Sequence, residues 1–457
     1  MRPISAMCFR CCDDRARVLM RFALAGLTAL LMTALPVRAA SLDIVEVTSE
    51  TGVTAWLVED QTDPTVALSF AFVGGSNQEP AGKEGMADLL VSLLDEGAGD
   101  LDSEAFQQRL YETGAQLSFR ATGNRITGEL NMLADEIEEP LELLSLALSA
   151  PRFDEQPVER MRSVLLSQIR AESNDPDEQG QRALATALYG DHPLGRQPTL
   201  DSLQAVSRED LEGFHRRTFA RSNLFIGVVG AIDPETLRSV LDEVFAELPA
   251  EADLKEVPPP DLNFGEEVTQ VYDRPQSSIS LVYPGVAATN DDIYAASVVA
   301  EVIGGGGLVS RLFTEVRERR GLAYGAGAFL DSDVDWGRLV VYTSTSANQT
   351  GEALGAVREV VQTMAEEGPT AEELESAKRY LIGSYAVGNL SSTTNIARTL
   401  VSLQRLGRGR DYLERRDALF NAVTLEDARD MASRLLSVEP TMLIVGPEVE
   451  ETADQDG

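Results

Sequence analysis

Between residues 42 and 250, short runs of alternating apolar and polar positions are interleaved with longer stretches whose apolar positions fall three or four apart. The two periods predict strands and helices respectively. Strands are expected over 53–58, 66–73, 115–120 and 125–130, with a helix over 83–94 interrupting them. From Asp154 the positions Val158, Met161, Val164, Leu165 and Ile169 keep close to helical spacing, and Asp154 itself is placed to cap that helix. A further helix from Ser207 to about Phe219 leads into an apolar strand over 223–230. Between Pro249 and Glu267 the chain turns acidic and proline-rich, and Pro258-Pro259-Pro260 favours an extended, semi-rigid connector.

The second half repeats the first. Val206-Ser207-Arg208-Glu209-Asp210 at a helix start recurs as Val423-Thr424-Leu425-Glu426-Asp427. The helix opening at Asp154 has a counterpart opening at Thr370, at the same offset to within one position, and the strands that follow end at Gly230 and Gly446. A near-constant offset over several landmarks implies a duplicated α+β domain of about 200 residues. The expected organisation is a leader over 1–39, a first domain over 40–250, a linker over 251–266, a second domain over 267–446 and an acidic tail over 447–457.

At 457 residues, with 43% hydrophobic and 25% charged residues, the chain has the make-up of an ordinary globular protein of at least two domains. Its formal charge is −35, and its only lysines are Lys83, Lys255 and Lys378, so no extended face could neutralise a phosphate backbone and nucleic acid is excluded as a partner. Arg15, Arg17 and Arg21 precede an uncharged apolar run over 22–37 and the cleavage-like Val37-Arg38-Ala39, the pattern of a secretory signal. That run is shorter than the roughly 20 residues of a transmembrane helix. A cleaved, periplasmic or secreted protein without stable membrane insertion is therefore expected. Cys8, Cys11 and Cys12 all lie upstream of the apolar run, so a mature chain beginning at Ala40 or Ser41 has no thiol for a disulfide, a metal or a nucleophile.

The two histidines, His192 and His215, stand too far apart in the chain to form a helical pair of zinc ligands, and local hydrogen-bonding roles are expected for both. No Gly-x-Ser-x-Gly elbow supports a serine nucleophile. Gly304, Gly305, Gly306 and Gly307 form a loop that would admit close backbone approach, but the Gly-Lys-Ser/Thr ending of a phosphate loop is missing.

Several motifs together resemble the insulinase (pitrilysin-like, M16) metallopeptidases. Val73-Gly74-Gly75-Ser76-Asn77-Gln78-Glu79-Pro80 and Gly82-Lys83-Glu84-Gly85-Met86-Ala87 are similar to the lead-in to that family's zinc helix. Leu194-Gly195-Arg196 and the strand from Asn223 to Gly230 follow in the family's order. Ile303-Gly304-Gly305-Gly306-Gly307-Leu308, then Glu315-Val316-Arg317-Glu318-Arg319-Arg320-Gly321-Leu322-Ala323-Tyr324, resembles its C-terminal signature. The resemblance spans about residues 42–447 and implies two similar domains, each an antiparallel-rich sheet packed by helices.

It also implies where the family's chemistry should be, and there the residues differ. Where the family reads His-x-x-Glu-His, this chain reads Asp88-Leu89-Leu90-Val91-Ser92, and the third ligand position falls on Gln168. A carboxylate, a hydroxyl and an amide are poor zinc ligands, and valine cannot take a proton from a metal-bound water. The expectation is no zinc and no catalytic residue in this chain, with Asp88 beside other carboxylates on a harder cation as the alternative. Arg317 and Tyr324 match an arginine–tyrosine pair with which the family holds substrate near the reacting carbonyl; a surface ion pair of Arg317 with Glu315 or Glu318 and a half-buried tyrosine are the structural alternatives. Some members of the family work as pairs of a zinc-bearing and a zinc-less subunit, and the glycine loop resembles that of the non-catalytic subunit of the mitochondrial processing peptidase. The resemblance thus implies a silent subunit that contributes Arg317, Tyr324 and the loop of Gly304, Gly305, Gly306 and Gly307 to a chamber for peptide or unfolded polypeptide, with zinc in the partner. A non-enzymatic peptide-binding or scaffold protein of the cell envelope is the competing reading.

Overall fold

The computed structural model describes residues 42–305 and 309–448. The expected leader, Gly306, Gly307 and the tail beyond 448 lie outside the described residues. The first half builds a six-stranded sheet from β1 (Val45–Thr48), β2 (Thr54–Glu59), β3 (Thr65–Val73), β4 (Gln116–Ala121), β5 (Arg125–Leu133) and β6 (Leu224–Gly230), in the order β1-β2-β6-β3-β5-β4. The second half builds a five-stranded sheet from β7 (Glu267–Val271), β8 (Gln276–Pro284), β9 (Gly325–Ser332), β10 (Gly337–Ser346) and β11 (Thr441–Gly446), in the order β7-β11-β8-β10-β9. Omitting β1, the two orders correspond strand for strand, including one parallel pair in each, β2 with β6 and β7 with β11. The fold is a duplicated α+β architecture.

The alternation along β3 explains how each sheet is covered. Val66, Leu68, Phe70 and Phe72 enter a core roofed by helices, while Ala67, Ser69 and Ala71 on the opposite face are small and also buried. A helix from the other half lies against that small-residue face. Seven helices carry the argument: α1 (Met86–Val91), α2 (Glu155–Glu172), α3 (Pro176–Tyr189), α4 (Arg208–Thr218), α5 (Ala371–Asn389), α6 (Thr393–Arg405) and α7 (Leu425–Leu436). The helix α6 of the second half packs on β6 and β3, where Gln404 Nε2 donates to Ile226 O at 2.7 Å and Arg398 pairs with Glu129. Reciprocally, α3 of the first half packs on β11 and β7, its Leu184 and Leu188 meeting Val282, Leu443 and Val445. In sequence α6 starts at the same offset from α3 as α7 does from α4, so the duplicated units exchange equivalent helices.

Local chemistry sets most helix starts. Ser207 and Thr424 close equivalent capping boxes with Asp210 and Asp427. Asp154 does precede α2, but its carboxylate pairs with Arg152 at 2.7 Å and makes no capping bond. The helix expected over 83–94 is also shorter: α1 starts after Gly85, which adopts φ 94°, and ends at Val91, beyond which the chain tightens as Leu93 N donates to Leu90 O. The connector has no regular structure but is tied to the first half. Gln78 exchanges two hydrogen bonds with the Lys255 backbone, and His192 Nε2 lies 2.9 Å from Pro258 O. His215 is half-buried, its Nε2 lies 2.9 Å from Leu148 O, and desolvation pulls its pKa down to about 4. His192 also accepts from Leu194 N through Nδ1, a local hydrogen bond as expected, whereas the partner of His215 is 67 residues away in the chain.

Candidate functional site

The helix α1 is held at its N-terminus by Glu79, a buried carboxylate that accepts from Ala87 N at 2.7 Å and Gly85 N at 3.2 Å. Burial pushes Glu79 up to about 8 against the pull of these amides, and the negative charges of Asp88 and Glu84 add to the rise. Met86, Ala87, Leu89 and Leu90 of α1 are committed to the core. Val91 is buried with them, and together with the half-buried Asp88 it also lines a cleft of about 420 Å³. The helix α2 buries Leu166 and Ile169 and presents Gln168 and Glu172 to the same cleft, and the sheet-edge strand β4 contributes Phe119 and Arg120.

The cleft therefore brings together Asp88, Val91 and Gln168, three of the four positions singled out in the sequence. Ser92 is not among its lining residues; its hydroxyl donates to Leu89 O at 2.8 Å. Gln168 Nε2 donates to Glu172 Oε1 at 2.8 Å, and Arg182 pairs with the other Glu172 oxygen at 2.7 Å. Asp88 is raised above the ordinary carboxylate range by burial and, secondarily, by the negative charge of Glu172. Sequence reasoning missed Glu172, Arg182 and Glu79. Glu172 had a signal, since it lies one helical turn after Gln168 and so on the same face.

A zinc ion does not fit this donor set. Ser92 turns its hydroxyl to the backbone outside the cleft, Gln168 offers only a neutral amide oxygen, and both oxygens of the Glu172 carboxylate are engaged, by Gln168 Nε2 and by Arg182. Among the described residues no group of three His, Cys, Asp or Glu side chains is placed to hold a metal. At the position of the general base, the Val91 side chain offers only hydrocarbon.

Arg317 and Tyr324 are exposed and do not line the cleft. Arg317 lies on a π-helical turn, Phe313–Arg319, and stacks its guanidinium 4.8 Å from the Phe313 ring centroid. The alternative ion pair with Glu315 is not formed: Glu315 pairs with Arg319 at 2.6 Å. Tyr324 is 58% exposed, and its hydroxyl is 3.1 Å from Ser346 Oγ. Gly304 and Gly305 do not form the expected loop but end a π-helical turn, Glu301–Gly305; a Cβ on Gly304 would come within 2.1 Å of Ala328 N, so this glycine lets the turn press against β9. A Cβ on Gly305 would meet Glu301 Oε2 at 2.5 Å, and Glu301 is itself buried and pushed up to about 7 by that burial.

With this geometry in place, the comparisons are informative. Residues 54–200 match the family model of insulinase (peptidase family M16), and residues 205–381 match that of the peptidase M16 inactive domain. An uncharacterised zinc protease of Bacillus subtilis, YmxG, is 24% identical over 402 residues, covering 88% of this chain and 97% of its own. Another from Mycobacterium leprae, ML0855, is 27% identical, covering 84% and 89%. A peptidase M16 inactive domain from Pseudomonas fluorescens superposes with a TM-score of 0.83 at 25% identity, over 90% of this chain and 99% of that one. A Helicobacter pylori protease shares the fold, with a TM-score of 0.78 at 18% identity, over 88% of this chain and 99% of that one. Two family models in tandem, the duplicated sheets and relatives aligned over most of their length lead to one conclusion: the chain belongs to the insulinase (M16) peptidase family.

Proposed function

We propose that this chain is the catalytically silent subunit of an exported zinc-peptidase heterodimer, completing a chamber for unfolded polypeptide around the zinc site of its partner. The observation that carries the reading is the cleft at the family's zinc position: one half-buried carboxyl, a neutral amide in place of a ligand, a serine turned away to the backbone, and valine where a base is needed. The sequence of the leader supports export. Among the described residues no helix is long and apolar enough to cross a membrane.

In this role Arg317 and Tyr324 act on substrate bound at the partner's metal. An exposed guanidinium held flat against Phe313, with no ion-pair partner among the described residues, keeps its fork of donors for a substrate carbonyl or carboxylate. The exposed Tyr324 hydroxyl can donate to an oxyanion developing on the scissile carbonyl. Zinc in the partner would supply the activated water.

The test is cleavage of a fluorogenic peptide library by the purified mature chain, alone and mixed with a zinc-bearing relative from the same organism. Activity is expected only in the mixture and should fall at least about tenfold with Arg317→Ala while the complex still co-elutes, a loss of one substrate contact. Activity from this chain alone would overturn the reading. Silence in both samples would favour a scaffold that binds peptide without turnover.

A further inference from the structure

The second half contains a cavity of about 270 Å³ among α5, α6, the helix Ile293–Ala300 and the helix Tyr412–Ala422. Its lining includes Arg408 and Arg416 and no aspartate or glutamate, in a chain of 74 acidic residues. The cleft beside Asp88 differs in this respect, because its cations Arg120 and Arg182 share it with Asp88 and Glu172.

Arg416 is 7% exposed and sandwiched, its Cζ 3.8 Å from the Tyr385 ring centroid and 4.6 Å from that of Phe420. Nη2 donates to Leu381 O at 3.0 Å, whereas Nη1 is buried without a hydrogen-bond partner. The nearest carboxylate, Asp417, is 3.9 Å from Nη1 and lies outside the lining with its side chain largely in solvent. Arg408 sits over the rings of Tyr294 and Tyr412, 6.0 and 5.5 Å from their centroids, and gives one amino group to Ala288 O. Its own acidic neighbour, Asp291, is 3.8 Å away and 95% exposed. The Tyr294 and Tyr412 hydroxyls meet at 3.4 Å.

A buried cation with an unused donor is a costly arrangement unless something accepts from it. Two guanidinium groups and three phenols converging on one cavity supply charge and hydrogen-bond donors for oxygens of negative charge, and the rings hold the guanidinium planes in place. A cavity of this size suits a small ion or metabolite.

We infer that this cavity is a binding site for a small oxyanion, a phosphate or a short carboxylate, held between Arg408 and Arg416. The ligand's oxygens take the free Arg416 Nη1 proton and the remaining Arg408 donors, with the tyrosine hydroxyls completing the shell. The site is separate from the cleft of α1 and independent of any partner subunit.

Calorimetric titration of the intact mature chain with inorganic phosphate, and separately with succinate, in a buffer without other multivalent anions tests the assignment. Saturable one-site binding is expected for at least one probe, and which of them binds identifies the source of the oxyanion as phosphoryl or carboxylate. Arg408→Gln and Arg416→Gln should each weaken it at least about tenfold, and Arg415→Gln, an exposed neighbour paired with Asp411, should leave it unchanged. Should Arg416→Gln fail to fold, Arg408→Gln decides, since the Arg416 sandwich is made by Tyr385 and Phe420 and not by Arg408. No binding of either probe up to about 10 mM, a very weak affinity, would overturn the inference, as would binding that Arg408→Gln leaves intact.

Discussion

The two halves of the molecule share a sheet order and a helix exchange but fill the spaces beside their helices differently. In the first half the cleft of α1 is a closed electrostatic circuit, in which Glu172 takes Gln168 and Arg182 and Asp88 remains as a destabilised carboxyl. In the second half the cavity has arginines and tyrosines without carboxylates. Each half also buries a glutamate near these helices. Glu79 is held by two backbone amides, whereas Glu301 is buried against Gly305. The features that define the topology, such as the capping boxes and the strand order, survive duplication because the fold needs them. The side chains that fill clefts are under no such demand and have diverged.

The buried glutamates offer the largest break in this comparison. Glu79 is pushed up to about 8, against an ordinary value near 4.3 in the unfolded chain. The folded state therefore binds more protons than the unfolded state between those values, and stability falls as pH rises through that window. At about 1.36 kcal/mol per pKa unit the loss is on the order of 5 kcal/mol. Urea unfolding of the isolated chain from pH 4 to 9 should show this decline, and Glu79→Gln should flatten it. Glu301→Gln should flatten a smaller part, between the unfolded value and about 7. A profile unchanged by Glu79→Gln would show that the amides, rather than burial, dominate that site.

Next in size is the helix exchange. A Cβ on Gly227 would approach Ala397 O of α6 to 2.4 Å and Leu400 Cβ to 2.9 Å, so Gly227→Ala must lift the helix from the sheet. A loss of about 3 kcal/mol is expected by chemical denaturation, at the upper end for an overpacked interior. The reciprocal contact is more forgiving. A Cβ on Gly180 meets the side-chain ends Val445 Cγ2 at 2.6 Å and Leu443 Cδ1 at 3.1 Å, which can rotate away. Alanine also gains about 1 kcal/mol of helix propensity over glycine. Gly180→Ala should therefore cost about 1 kcal/mol or less, and equal losses at the two positions would show that the contacts are equivalent after all.

These contacts also mark the limit of what the sequence discloses. Alternation places the starts of β2 to β6 to within a residue, although β5 runs on to Leu133 and β1 and the strands β7 to β10 are not among the expected ones; the near-constant offset from Asp154 to Thr370 and from Ser207 to Thr424 reveals the duplication. Periodicity identifies which face of α3 or α6 is buried but not which sheet covers it, so the exchange is invisible in one dimension. The degenerate positions Asp88, Val91 and Ser92 are readable because they stand inside a spaced motif. Their surroundings are not: Ser92 turns from the cleft to bond Leu89 O, and Asp154 gives its carboxylate to Arg152 rather than to its helix. The oxyanion cavity has no local signature at all, since Tyr294 and Arg416 meet only through the fold.

The smallest effect concerns the cleft itself and asks whether its residual acid is a relic or a working group. Asp88 is raised mainly by burial and then by Glu172, so its ionisation costs stability as pH rises through its folded value. Asp88→Asn removes that cost and should stabilise the chain by under about 1 kcal/mol at pH 8, with the gain shrinking as pH falls and the carboxyl takes up its proton. A double-mutant cycle with Glu172→Gln separates the two causes. If burial dominates, the gain from Asp88→Asn at pH 8 persists when Glu172 is neutral; if like-charge repulsion dominates, it disappears. A destabilising Asp88→Asn at pH 8 would mean that the ionised carboxylate is held by a cation, and would reopen the reading of this cleft as metal-free.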